Sequence, residues 1–193
     1  MSQVLVGRRL AGIFALAVLL PAAAIAANLR VLALAGAFGA ALAVAALRLE
    51  AAAVIFQSPA DLSTSASTRE NLLQFFTELA PASAYGGAAR VWIPGGLWEP
   101  ATALAMAEKL DVICAVDPFV SDPEHPLPPL PAATYLRPTG LGRTGVLSAD
   151  RLDELTQLVA GSQSAMVAFA TGERLKDALN LAKLVGGDEG PGS

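Results

Sequence analysis

The chain has 193 residues, of which 54% are hydrophobic and 16% charged, with a formal net charge of −4. That length suits one domain with a proper core and is short for a complete eight-unit barrel, which takes about 250 residues. Scattered Lys and Arg leave no footprint for nucleic acid, the lone Cys114 excludes an internal disulfide or a cysteine zinc cluster, and the lone His125 excludes a multi-histidine metal site.

The first quarter is apolar, with no charge from Leu10 to Leu29 and none from Val31 to Leu47. Three readings of it stand open. Arg8-Arg9, the run Leu10–Leu20, Pro21 and Ala24-Ile25-Ala26 have the layout of a secretory signal cleaved after Ala26. Each uncharged run also approaches the ~20 residues that span a bilayer, so Leu10–Leu47 could form a membrane hairpin. Against this, the runs are mostly alanine and Arg30 divides them with almost no loop. The third reading is buried core, with Gln3–Gly7 as a first strand and Leu32–Leu47 as an Ala-rich helix against a sheet. It is the one adopted here, and it makes the protein cytoplasmic.

Five short apolar strands, each leading into a helix, follow. They are Ala52–Phe56, Arg90–Pro94, Asp111–Val116, Ala133–Arg137 and Ala165–Phe169. Continuous apolar runs mark strands buried on both faces, and alternation with helices predicts a parallel sheet. After the first strand, Ser67 with Glu70 has capping-box spacing, and Leu72, Leu73, Phe75, Phe76 and Leu79 follow helical periodicity up to Pro81. Pro100 opens the next helix, whose stripe is Leu104, Ala107 and Leu110. Val120–Pro131 is a proline-rich loop that holds Asp122, Glu124 and His125. Ser148 caps the following helix, with Asp150 in its first turn and Leu152, Leu155, Leu158 and Val159 facing inward. The last helix is expected to bury Leu175, Leu179, Ala182 and Val185 and to stop at Gly186, leaving Asp188–Ser193 as a tail.

Parallel α/β folds do their chemistry at the C-terminal ends of the strands. Here those ends read Gln57, Gly95, Asp117, Arg137 and Ala170-Thr171. Gln57, Asp117 and Arg137 are the candidate binding residues: an orienting amide, a hydrogen-bond acceptor and an anion clamp. Two structural alternatives compete. Asp117 and Arg137 could satisfy each other as an ion pair, or Asp117 could cap the turn it makes with Pro118. The glycine-rich stretch Gly140–Gly145 lacks the Lys-Ser/Thr ending of a nucleotide-binding loop and reads as a mobile loop beside the strand ends. Trp92 and Trp98 read as packing residues. Cys114, in mid-strand, reads as a small buried hydrophobe.

From about Val31 to Val185 the chain resembles the YecE-like family, domain of unknown function 72. The resemblance rests on Val54–Ala60 with Thr68-Arg69-Glu70-Asn71, on Val116-Asp117-Pro118-Phe119, on Tyr135-Leu136-Arg137 running to Gly140-Leu141-Gly142-Arg143, and on Leu147–Leu152. It implies an incomplete or shortened TIM-like (β/α) barrel with parallel strands, and no established reaction. The departures matter as much. The family's Trp-Glu-Pro-Arg-Gly becomes Trp92-Ile93-Pro94-Gly95-Gly96, its Arg-Leu-His-Gly becomes Arg137-Pro138-Thr139-Gly140, and its paired asparagines become Ala170-Thr171. Two or three of its N-terminal βα units have no counterpart.

With the histidine and both charged residues of the tryptophan motif gone, no acid–base pair can be assembled at the strand ends. The expectation is therefore a degenerate, catalytically inactive member with no catalytic residue, metal or cofactor. It would bind a partner or self-associate through exposed sheet edges. The alternatives are a binder or enzyme for a small anionic, phosphate-like ligand, and an exported or membrane-anchored domain.

Overall fold

The computed structural model describes residues 16–19, 40–120, 127–140 and 146–186. The expected strand Gln3–Gly7, the signal cleavage site, residues 32–39 of the Ala-rich helix, Asp122, Glu124, His125, most of the glycine-rich stretch and the tail lie outside the described residues. Contacts divide the chain into two compact units, one of Arg9–Cys114 and one built on Ala115–Ser193.

In the first unit the strands are β1 (Leu16–Leu19), β2 (Ala53–Gln57), β3 (Ala89–Ile93) and the first half of β4 (Ile113–Val116). They pair in parallel and in chain order, with Leu16 opposite Val54, Phe56 opposite Trp92, and Trp92 opposite Cys114. The strand Leu16–Leu19 corrects the expectation for the apolar segment, which placed no strand there. Residues 40–48 form helix α1. Among the described residues no helix is long and apolar enough to cross a membrane.

Helix α2 (Ala66–Gln74) is capped by Ser65, whose hydroxyl accepts from the Thr68 N–H at 3.2 Å, not by Ser67. Ser63, Ser65 and Thr68 also share hydroxyl hydrogen bonds, and that network selects the cap. The helix widens into a π-turn at Phe75–Leu79. This turn sets the adjacent Phe75 and Phe76 edge-on to Phe56 of β2, at centroid distances of 5.7 and 5.2 Å. Helix α3 (Pro100–Leu110) starts on Pro100 and buries Ala103, Met106, Ala107 and Leu110.

Buried Arg90, at the start of β3, binds this unit's connections together. Its Nη1 donates to the carbonyls of Phe76 (3.1 Å) and Ala80 (2.8 Å), and its Nη2 to the carbonyl (2.6 Å) and carboxylate (3.0 Å) of Asp111. One guanidinium fork therefore closes the end of the α2–π segment and the C-cap of α3.

In the second unit the latter half of β4 pairs with β5 (Ala133–Leu136), and β5 with β6 (Ser164–Val167), again in parallel. Helices α4 (Ala149–Gly161) and α5 (Arg174–Gly186) follow β5 and β6. Ser148 caps α4 as expected, accepting from the Arg151 N–H. Leu136, Leu152, Leu155, Val159, Ala165, Leu181 and Phe119 form the core between strands and helices. The expected buried stripe of α5 holds in part, with Val185 packed against this core. Leu175 and Leu179 are exposed, and Asp177 and Leu181 face the core. Among the described residues no pairing joins the last strand to the first.

Candidate functional site

In the second unit, Leu136 points into the helix-packed core, so its neighbours Tyr135 and Arg137 occupy the opposite face of β5. Ala115 lies opposite Tyr135, which puts Asp117, two residues on, on that same face. The structure thus brings Asp117 and Arg137 to adjacent strand ends. The Arg137 N–H extends the ladder to the Val116 carbonyl at 2.7 Å.

Adjacency does not make them an ion pair. Asp117 Oδ1 accepts from the Phe119 N–H at 3.0 Å, capping the turn through Pro118. Its Oδ2 accepts from the Thr139 N–H at 2.8 Å and from the Thr139 hydroxyl. Three donors converge on a half-buried carboxylate, which is a complete structural role. Half-buried Arg137 has no carboxylate partner among the described residues. Its charge lies close enough to the Tyr135 phenol to pull that group's pKa down, against burial, which raises it by more. Tyr135 was not singled out from the sequence. The i, i+2 spacing to Arg137 on a strand was the signal that could have found it.

One fully buried carboxylate in this unit was not among the candidates. Asp177 is 0% exposed, with Oδ1 accepting from the Leu147 N–H at 2.8 Å and Oδ2 from the Thr171 hydroxyl at 2.6 Å. It ties the entry of α4 to the loop after β6, where the family motif has asparagines.

In the first unit, Gln57 ends β2 opposite Ile93 and is half-buried. The next residue, buried Ser58, accepts from Trp92 Nε1 at 2.8 Å. Trp98 stands edge-on to Trp92 at 5.2 Å, with Arg69 over its ring at 5.9 Å. Both tryptophans pack, as expected. Gly95 follows the strand so closely that a Cβ there would lie 2.3 Å from the Pro59 carbonyl oxygen and 2.6 Å from that of Ser58. Gln57 and the Asp117–Arg137 pair belong to different units.

Burial pushes the Cys114 thiol up to about 12, which leaves no thiolate for nucleophilic chemistry near neutral pH. Among the described residues no cluster of His, Cys, Asp and Glu could hold a metal ion.

These features define a parallel α/β protein with one cationic side chain, and no acid–base pair, at the described strand ends of its second unit. No family profile matches the chain, and no curated protein does. Its fold is similar to that of a DUF72 family protein from Thermotoga maritima, with a TM-score of 0.53 at 12% identity over 79% of this chain. DUF72 is the YecE-like family that the sequence motifs resemble. The alignment takes in 65% of the Thermotoga protein, so the chain spans less than two thirds of its length.

Proposed function

We propose that the chain is a catalytically silent, shortened TIM-like barrel of the YecE-like kind that binds a small anionic ligand through Arg137. The observation that carries this reading is the contrast between two neighbouring side chains. Both oxygens of Asp117 accept hydrogen bonds, three in all, and Arg137 on the same face has no side-chain hydrogen bond or ion pair among the described residues. A half-buried guanidinium without a carboxylate suits bidentate capture of phosphate or carboxylate, and an engaged Asp117 has no role left as a base.

Calorimetric titration with inorganic phosphate, sulfate and simple phosphate monoesters tests the proposal. Binding should weaken at least about tenfold in Arg137→Ala at unchanged thermal stability. Unchanged binding in Arg137→Ala, or turnover of an ester that is lost in Asp117→Asn, overturns it. The cytoplasmic location is proposed on the same footing, because it needs residues 1–47 retained. An intact Met1 by mass spectrometry with recovery in the soluble fraction supports it, and a start at Ala27 or recovery in the membrane fraction overturns it.

A further inference from the structure

Helices α4 and α5 follow neighbouring parallel strands and pack on the same side of them, through Leu152, Leu155 and Val159 from one and Leu181 from the other. Their outward faces are therefore contiguous, yet opposite in character. α4 exposes Asp150, Asp153 and Glu154, the last engaged by Arg151 at 2.9 Å. α5 buries its one acid, Asp177, and exposes Leu175, Lys176, Leu179 and Lys183. Leu175 is 73% and Leu179 50% exposed, one helical turn apart on the side away from Leu181. Single exposed leucines are ordinary. Two stacked leucines beside Lys176 and Lys183, on a helix that already buries Leu181 and packs Val185 on its inner side, make a second apolar patch on a basic outer face.

We propose that this face docks a second copy of the same chain, α5 against α5 about a two-fold axis. Charge complementarity selects that occupant. Such an axis buries the leucines of the two copies on each other and turns Lys176 and Lys183 of each toward the acidic α4 of the other. An anionic lipid surface would suit α5 alone but is repelled by Asp150, Asp153 and Glu154 beside it.

Sedimentation velocity of the full chain over a concentration series at low and high salt tests the pairing. The wild type should dimerise, more weakly at high salt, and Leu179→Glu should be monomeric with an unchanged melting temperature. Lys183→Glu should weaken the dimer by about tenfold, and Lys183→Glu with Asp153→Lys should restore it. A wild type monomeric at every concentration, or a dimer indifferent to Leu179→Glu, overturns the proposal. So does a monomer that co-sediments with phosphatidylserine vesicles through Leu179.

Discussion

Thr139 gives both of its donors to Asp117, the backbone N–H at 2.8 Å and the hydroxyl beside it. In the motif that this stretch resembles, Thr139 takes the place of a histidine. Here Thr139 is a strut between the ends of β4 and β5.

Asp117 should therefore behave as a structural residue. Asp117→Ala strands the N–H groups of Phe119 and Thr139 and should cost about 2–3 kcal/mol in chemical denaturation. Asp117→Asn should cost nearly as much, because its amide NH2 would face a donor. Thr139→Val, which loses only the hydroxyl bond, should cost about 1 kcal/mol. Equal stability of wild type and Asp117→Asn would contradict the strut.

Gly95 has no room for a side chain. An arginine belongs there by resemblance, but any Cβ would meet the Pro59 and Ser58 carbonyl oxygens at 2.3 and 2.6 Å. Those contacts are backbone, so the loop after β2 would have to move. Gly95→Ala and Gly95→Arg should both destabilise by about 3 kcal/mol or more, read as a drop in the denaturation midpoint. Wild-type stability in Gly95→Arg would mean that this loop yields easily.

Where the fold was legible, one physical reason accounts for it. Strands covered on both faces write uninterrupted apolar runs, and every run between Ala52 and Phe169 read this way matches a parallel strand to within two residues at either end. Leu16–Leu19 was hidden because the apolar run around it is uniform and nothing in it marks an edge. Leu175 and Leu179 of α5 were misplaced because hydrophobicity cannot register a carboxylate whose partners are a distant backbone N–H and a nearby hydroxyl. Asp177 goes inward with its partners beside Leu181, and Leu175 and Leu179 turn out. Likewise, Asp117 and Arg137 were legible as strand-end residues. The cap that Asp117 places on the Pro118 turn was legible as one alternative, and its two bonds from Thr139 were not.

Asp177 allows a graded test of that argument. Asp177→Ala leaves the Leu147 N–H and the Thr171 hydroxyl without acceptors in a fully buried place, and should cost about 3 kcal/mol. Asp177→Asn keeps one acceptor for Leu147, and the Thr171 hydroxyl can rotate to accept from the new amide, so it should cost about 1 kcal/mol. Thr171→Val should fall near the latter value. If Asp177→Ala matched Asp177→Asn, the carboxylate would not be holding the loops.

The pH dependence of stability should carry the mark of Cys114. Its thiol rises from 9.0 to about 12 on burial. Between those values the unfolded chain has lost the proton and the folded chain keeps it, so the unfolded state binds fewer protons and stability falls as pH rises. Below about pH 9 the contribution is fully present. The Tyr85 and Tyr135 phenols, both raised by burial, act in the same direction from about pH 10 upward. Cys114→Ala should therefore flatten the decline between about pH 9 and 12. Wild-type Cys114 should also resist alkylation by iodoacetamide at about pH 8 until the protein is unfolded. Rapid alkylation of the folded chain, or identical alkaline profiles for wild type and Cys114→Ala, would show that the thiol is not sealed in the sheet.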